Sequence, residues 1–296
     1  WLATSGRDEQ IIYPILEKMV APTEKFTQSI ANLLVYGDYH YGYPFYFSSI
    51  LVTLPARLIY GEAFFDQVQT NLLILRQMIS VLPMILAAGL LVYLQTRLRR
   101  FYTSLFLFAL LLLIPAVLHN NLQWWHPDAL SVLCVALTFF ALDRDDLRFG
   151  RWFWVAAAAC GMATAIKLIG LFFFLAIPGY LLAGWWLKRI SFKRMLLLGL
   201  LFVLLMAAVI VLANPFLFFR GQWEQLLHIM ELKSVEISQG YSHDPGSLSQ
   251  YQKGPQFWEW TLDRWYAPIP VLGFAALSLL AAALVGRQKR LNWLIL

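Results

Sequence analysis

Long apolar segments separated by short polar turns dominate the pattern of this chain. Seven segments stand out: 71–95, 102–118, 127–142, 152–166, 171–187, 195–213 and 268–286. A helix needs about 20 apolar residues to cross a membrane, with a range of about 17–25. Segments 127–142 and 152–166 are shorter than this, so we expect their helices to continue into the flanking polar residues. The pattern predicts an all-α protein, a polytopic bundle of transmembrane helices.

Two stretches outside these segments also show helical patterns. Residues 44–60 are aromatic and apolar and end at Gly61, which predicts a helix lying along the membrane surface. Residues 222–238 have amphipathic spacing and could form a second such helix, whereas 239–256 resemble a flexible outer loop. We therefore divide the chain into a first outer loop (1–70), a transmembrane region (71–213), a second outer loop (214–267) and a further transmembrane region (268–296).

Composition agrees with this prediction. The chain is 60% hydrophobic and only 14% charged, whereas soluble domains carry about 25% charged residues. Lipid must therefore solvate much of the apolar surface. The chain opens on Trp1 without Met and ends inside an apolar run, so we expect one helix to precede it and others to follow. No phosphate-binding glycine loop is present, and the two cysteines suggest neither a disulfide framework nor a metal site.

Basic residues concentrate in four short loops, which hold 13 of the 23 Lys and Arg residues. The loops contain Arg97, Arg99 and Arg100; Arg144, Arg148 and Arg151; Lys188, Arg189, Lys193 and Arg194; and Arg287, Lys289 and Arg290. They follow alternate segments, so they can share one face, which the positive-inside rule makes cytoplasmic. The net charge of +6 thus indicates orientation in the cell (inner) membrane, and we expect no nucleic-acid partner.

The opposite, extracytoplasmic face receives all five histidines, and the stretches 1–70 and 214–267 carry 13 of the 17 acids. Chemistry is therefore expected outside. The first candidates are Asp8 and Glu9, because a carboxylate at the membrane surface can act as a general base toward an acceptor hydroxyl. An equally simple interpretation is a solvated acidic pair that favours a helix N-terminus.

Two cations lie where topology does not require them. Arg76 is five residues into segment 71–95, where its guanidinium could bind a phosphate or could snorkel to the surface. Lys167 lies between two apolar helices on the outer side, which points to an anionic partner.

A short polar and aromatic turn, residues 119–128, separates two apolar segments on the outer side. Pro127 and Asp128 are typical of a helix start. Trp124 and Trp125 are expected to be membrane-interface residues or a surface for sugar stacking, and His126 completes a set of polar groups suited to a phosphate-bearing lipid.

Four pieces of the sequence together resemble the GT-C glycosyltransferases, closest to the branch of the protein O-mannosyltransferases and the lipid A aminoarabinose transferase. These pieces are Asp8-Glu9, the stretch from Gly37 to Tyr46, the block from His126-Pro127-Asp128 to Gly161–Lys167, and Ala213-Asn214-Pro215-Phe216 with the later Gly240–His243. Their order and spacing match over nearly the whole chain.

The resemblance implies inverting transfer of a sugar from a polyprenyl-phosphate donor to an acceptor protein or lipid on the extracytoplasmic face. Asp8 would be the base, and Glu9 would support it or help hold a divalent cation where one is used. Arg76, Lys167 and His243 would contact the donor phosphate. Asp38 is a competing base, and the candidates for binding the sugar are Asp38, Tyr41, His126 and Asp128.

Other functions fit the same sequence. Another GT-C branch, such as the GPI or asparagine-linked glycan mannosyltransferases, also carries acidic pairs in its first loop. A transporter or flippase for a lipid-linked sugar is a different class, against which stands the absence of internal repeats. A structural subunit with a decayed site is a third alternative.

Overall fold

Every regular element is helical in the computed structural model, which describes residues 7–239 and 254–285. In chain order the helices are α1 (Arg7–Val20), α2 (Phe26–Leu34), α3 (Tyr43–Tyr60), α4 (Val68–Leu75), α5 (Leu82–Thr96), α6 (Phe101–Leu113), α7 (Asp128–Asp145), α8 (Arg151–Ile166), α9 (Ala176–Trp186), α10 (Phe192–Ala213), α11 (Gln222–Gln239), α12 (Pro255–Trp265) and α13 (Ile269–Val285). The all-α prediction is confirmed for these residues.

Among the described residues, two helices are long and apolar enough to cross a membrane. One runs from Val68 to Thr96 and joins α4 to α5 through a π-helical turn, and the other is α10. Helices α12 and α13 would add a third if they form one broken span, since they meet at a bend of 79°. The seven predicted segments are helical over most of their length, but the number of spans beyond these stays a prediction.

Local sequence explains where the helices break. Helix α6 ends at Leu113 because Ile114 takes an extended conformation (ψ 126°) before Pro115. The prediction of one continuous helix over 171–187 is wrong in its first five residues, because a 3-10 helix covers Leu168–Leu175. Lys167 is extended there (φ −150°, ψ 129°). The chain then returns so tightly that a Cβ on Gly170 would lie 2.5 Å from the backbone of Ala163.

Small side chains bring the central helices together. Helix α8 packs along α7 on one side and α10 on the other, and α5 packs on α7. Ala156, Ala157 and Ala163 are buried in α8, and a Cβ on Gly161 would lie 2.8 Å from the carbonyl oxygen of Met206. Small residues allow helices to approach closely in lipid, where the hydrophobic effect does not drive helices together.

One end of the bundle holds three of the four basic loops, which we name the basic end. Arg97 forms an ion pair with Asp143 at 2.5 Å, which joins the first loop to the second. Asp145 accepts hydrogen bonds from the Tyr180 hydroxyl and the Phe149 N–H, both at 2.8 Å, which joins the second loop to α9. These contacts bring the three described loops to one end of the bundle. Residues 287–290 lie outside the described part of the chain, and the side of the membrane stays a prediction.

At the opposite end, two hydrogen bonds attach α3 to the bundle. The N–H of Gly42 donates to the carbonyl of Ile166, and the N–H of Tyr43 donates to Oδ1 of Asn214, both at 2.9 Å. Helix α3 spans the predicted surface helix and ends at Gly61, where φ is +56°. One of its faces is buried, and the other exposes apolar side chains, as a helix at a membrane surface requires. The predicted helix over 222–238 is also confirmed, as α11.

Substitution of Gly42 is expected to loosen this attachment. A Cβ at this position would lie 1.6 Å from the carbonyl oxygen of Ala165, so the two segments would have to separate. We expect Gly42→Ala to lower the free energy of unfolding by about 3 kcal/mol, the upper range for overpacking. Gly89→Ala is the matched control, because nothing lies within 4 Å of a Cβ there. Thermal unfolding of the full-length protein in detergent measures both, and equal stability of the two variants would contradict the close approach.

Candidate functional site

Six of the residues singled out by sequence lie together at the end of the bundle opposite the basic end: Asp8, Glu9, Tyr41, Arg76, His126 and Asp128, with Lys167 beside them. The first turn of α1, the loop before α3, the turn before α7 and the end of α8 contribute side chains that contact one another there. Two groups can be distinguished: a buried ion pair beneath the surface, and a partly exposed cluster above it.

The buried pair joins Glu9 to Arg76. Nε of Arg76 donates to Oε1 of Glu9 at 2.8 Å, and Nη2 donates to Oε2 at 2.6 Å. The exposed fractions are 2% for the arginine side chain and 0% for the glutamate side chain. This two-pronged geometry is the strong form of a charge-assisted hydrogen bond. Glu9 therefore points into the protein, although its neighbour Asp8 is 64% exposed.

Arg76 lies further from its helix start than the sequence indicated. Its helix begins at Val68 rather than at 71, so Arg76 is about 12 Å along the helix axis at about 1.5 Å per residue. The snorkelling alternative is wrong, because the side chain is buried. Arg76 also begins the π-helical turn Arg76–Val81, a distortion that is frequent at functional sites. Direct contact of Arg76 with a donor phosphate stays a prediction.

The turn before α7 is bound to this pair. The N–H of Trp125 donates to Oε1 of Glu9 at 2.7 Å, and its indole N–H donates to Oγ of Ser49 at 3.0 Å. Trp125 is fully buried and stacks on Phe45, with ring centres 5.2 Å apart. The expectation that Trp125 lies in a membrane belt or stacks on a sugar is therefore wrong. Its neighbour Trp124 places its ring 5.3 Å from the Arg76 guanidinium carbon.

The partly exposed cluster is centred on His126, and 12% of that side chain is exposed. Nε2 of His126 lies 3.0 Å from the Tyr41 hydroxyl and 3.8 Å from Oδ2 of Asp8. Nδ1 lies 3.1 Å from Oδ2 of Asp128. The imidazole thus lies between two carboxylates, the exposed one of Asp8 and the partly buried one of Asp128.

Two further contacts fix this cluster. Lys167 donates to Oδ1 of Asp128 at 2.5 Å, so the chain itself supplies the anionic partner that the sequence predicted for this lysine. Its Nζ also lies 5.8 Å from the Tyr41 ring centre. The N–H of His126 donates to Oγ of buried Ser80 at 3.2 Å, which links the cluster to the long Val68–Thr96 helix. Lys167 is 25% exposed and so remains accessible to a ligand from the surface.

The arrangement has defined chemical capacities. The exposed carboxylate of Asp8 can accept the proton of an incoming hydroxyl, with the His126 imidazole beside it. The Asp128 carboxylate lies on the other side of that imidazole, 3.1 Å from its Nδ1, where it would favour the protonated ring once Asp8 or His126 takes up a proton. Lys167 supplies positive charge next to the same site, where negative charge on a leaving group would be stabilised.

Asp38 forms its ion pair with His40 rather than joining His126, and it is 32% exposed. Burial raises the pKa of Asp38, but the hydrogen bond and charge of His40, helped by Lys233, outweigh it and leave the pKa below its usual value. A carboxylate with a lowered pKa is a weaker base. Of the two carboxylates, only Asp8 adjoins His126, whereas Asp38 pairs with His40.

Two expectations lie partly or wholly beyond the described residues. His243 falls in 240–253, which the structure does not describe, as does most of the predicted loop 239–256.

Across 7–239 and 254–285, no three His, Cys, Asp or Glu side chains form a group that could hold a metal ion.

Three residues that hold this end of the bundle, Ser80, Gly42 and Asn214, were assigned no role from the sequence, although the last two lie in the pieces that carry the resemblance. Ser80 carried no signal, since a serine in an apolar helix is unremarkable. Gly42 and Asn214 did carry one: the glycine directly precedes an aromatic helix, and the asparagine interrupts the end of an apolar run. Helix α7 does begin at Asp128, as Pro127-Asp128 predicted.

Comparison of the chain with models of protein families, with curated proteins and with solved structures gives no match.

Proposed function

We propose that this protein is a membrane glycosyltransferase of the GT-C type, which transfers a sugar from a polyprenyl-phosphate donor to an acceptor protein or lipid. The observation that carries the proposal is the cluster of Asp8, His126, Asp128 and Lys167, which combines an exposed base with a fixed cation. Its position opposite the basic end supports reaction on the extracytoplasmic face.

The proposed reaction is a single displacement with inversion at the sugar's anomeric carbon. Asp8 takes the proton of the acceptor hydroxyl while the oxygen attacks that carbon and the bond to the lipid phosphate breaks. Lys167 stabilises the departing phosphate, which needs little protonation. Glu9 and Arg76 act as positioning residues, because their ion pair holds the turn that carries His126.

The apolar surroundings support a lipid-borne donor. Two to three helices are long and apolar enough to span a membrane, and the buried face of α3 contributes Phe45 beneath the cluster. Tyr41 and His126, which contact each other, are then the candidates for binding the sugar.

Sealed vesicles containing the full-length protein distinguish a transferase from a transporter. With a labelled polyprenyl-phosphate sugar and an acceptor outside, we expect the label to appear in a new glycosidic bond on the acceptor. Protein-free vesicles provide the background. Movement of the intact labelled lipid across the membrane, without any new glycosidic bond, would contradict the proposal and favour a flippase.

A further inference from the structure

A second polar site lies at the basic end, where α9 meets α10. A surface pocket opens at this turn and is lined by Trp185, Lys188, Arg189, Ile190, Ser191 and Arg194. It contains three basic side chains and no acidic one. The transferase chemistry proposed above does not use it.

The turn has a defined backbone geometry. The N–H of Arg189 donates to the carbonyl of Gly184 at 2.8 Å, and Lys188 has φ of +56°, so α9 ends abruptly. Ser191 then caps α10, because its Oγ accepts the N–H of Arg194 at 3.3 Å. The positive end of the α10 dipole therefore adds to the basic side chains.

The positive charge of this pocket is not neutralised within the described chain. Across 7–239 and 254–285, Lys188, Arg189 and Arg194 form no ion pair with an acidic side chain. Elsewhere at this end of the bundle, Asp143 pairs with Arg97 and Asp145 accepts from Tyr180. An anion entering the pocket would therefore meet three basic side chains and no carboxylate in its lining.

Apolar surface adjoins these cations. The rings of Trp185 and Phe192 pack edge to face with centres 5.6 Å apart, and both side chains are exposed. Trp186 and Leu187 beside them are 81% and 48% exposed. A ligand that carries a phosphate and an acyl chain would match both parts, whereas a free phosphate would use only the cations.

We propose that this pocket binds the phosphodiester headgroup of an anionic phospholipid, with its acyl chains along Trp186 and Leu187. Basic pockets between helices on the cytoplasmic side of membranes suit such headgroups. The proposal rests on the membrane location proposed above but not on the transferase chemistry. Failure of sugar transfer would therefore leave it standing.

Native mass spectrometry of the full-length protein in neutral detergent tests the pocket, with dioleoylphosphatidylglycerol as the probe. We expect the wild-type protein to bind this lipid at least tenfold more tightly than dioleoylphosphatidylcholine. Arg189→Gln/Arg194→Gln should weaken binding of the anionic lipid about tenfold, because two unneutralised charges are lost. The variant should unfold at the wild-type temperature, since both side chains are exposed.

Arg99→Gln/Arg100→Gln is the matched control. It removes the same charge from exposed positions at the same end of the bundle but outside the pocket, so we expect less than a twofold change. Equal weakening by both pairs would overturn the proposal, because it would show general attraction to the basic surface. Displacement of the lipid by an equal concentration of inorganic phosphate would also overturn it and assign the pocket to a soluble phosphate.

Discussion

Glu9→Gln is expected to lower the free energy of unfolding by about 3–5 kcal/mol, the cost of leaving one partner of a buried ion pair without the other. The substitution preserves the shape of the side chain but leaves the Arg76 guanidinium without its carboxylate at a position where only 2% of that side chain is exposed. It also weakens the acceptor of the Trp125 N–H. Chemical denaturation of the full-length protein in detergent measures the change.

The neighbouring residue provides the control. Asp8→Asn changes the same kind of group one position earlier, where the side chain is 64% exposed, and should alter stability by less than about 0.5 kcal/mol. A second variant, Glu9→Gln/Arg76→Met, removes the stranded charge as well and should recover part of the loss. If Glu9→Gln is no more destabilising than Asp8→Asn, the pair does not hold this end of the bundle together.

The ion pair of Glu9 with Arg76 separates the two acids of the Asp8-Glu9 motif. Two adjacent acids at the start of a helix looked like one functional unit, but consecutive positions on a helix are about 100° apart. Glu9 therefore turns into the protein toward Arg76 while Asp8 faces the surface near His126. We therefore expect substitution of Glu9 to lower stability and substitution of Asp8 to lower activity.

Hydrophobic pattern predicted the helices well and the breaks poorly. It located α7 and α8, and α7 extends to Asp145 in the polar flank as expected, whereas α8 gains only Arg151. It missed the 3-10 helix at Leu168–Leu175, because apolar content does not distinguish an α-helix from a tight turn forced by Gly170 against α8.

Residue type identified the members of the site but not their partners. Arg76 and Lys167 stood out as cations at positions where topology does not require them. The carboxylate that pairs with Arg76 belongs to Glu9, 67 positions away in the chain, and the one that pairs with Lys167 belongs to Asp128, 39 positions away. Such pairings are tertiary contacts and leave no local periodicity. The burial of Trp125 was missed for the same reason, since its hydrogen-bond partner belongs to α1.

Asp8→Asn is expected to lower the rate of sugar transfer by about 100- to 10,000-fold, the range for loss of a general base. The amide cannot take a proton from the acceptor hydroxyl, although it keeps the size of the side chain and one oxygen toward His126. Donor binding should be retained, because Lys167 and Asp128 keep their contact. Asp38→Asn is the matched comparison, since the Asp38 carboxylate pairs with His40 and has a lowered pKa.

The most direct measurement is the single-turnover rate of glycosidic bond formation at saturating polyprenyl-phosphate sugar, for the wild-type protein, Asp8→Asn and Asp38→Asn. We expect the rate of Asp8→Asn to fall at least 100-fold and that of Asp38→Asn to stay within about threefold of the wild-type rate. An unchanged rate in Asp8→Asn together with a large loss in Asp38→Asn would contradict it and move the base to the loop before α3.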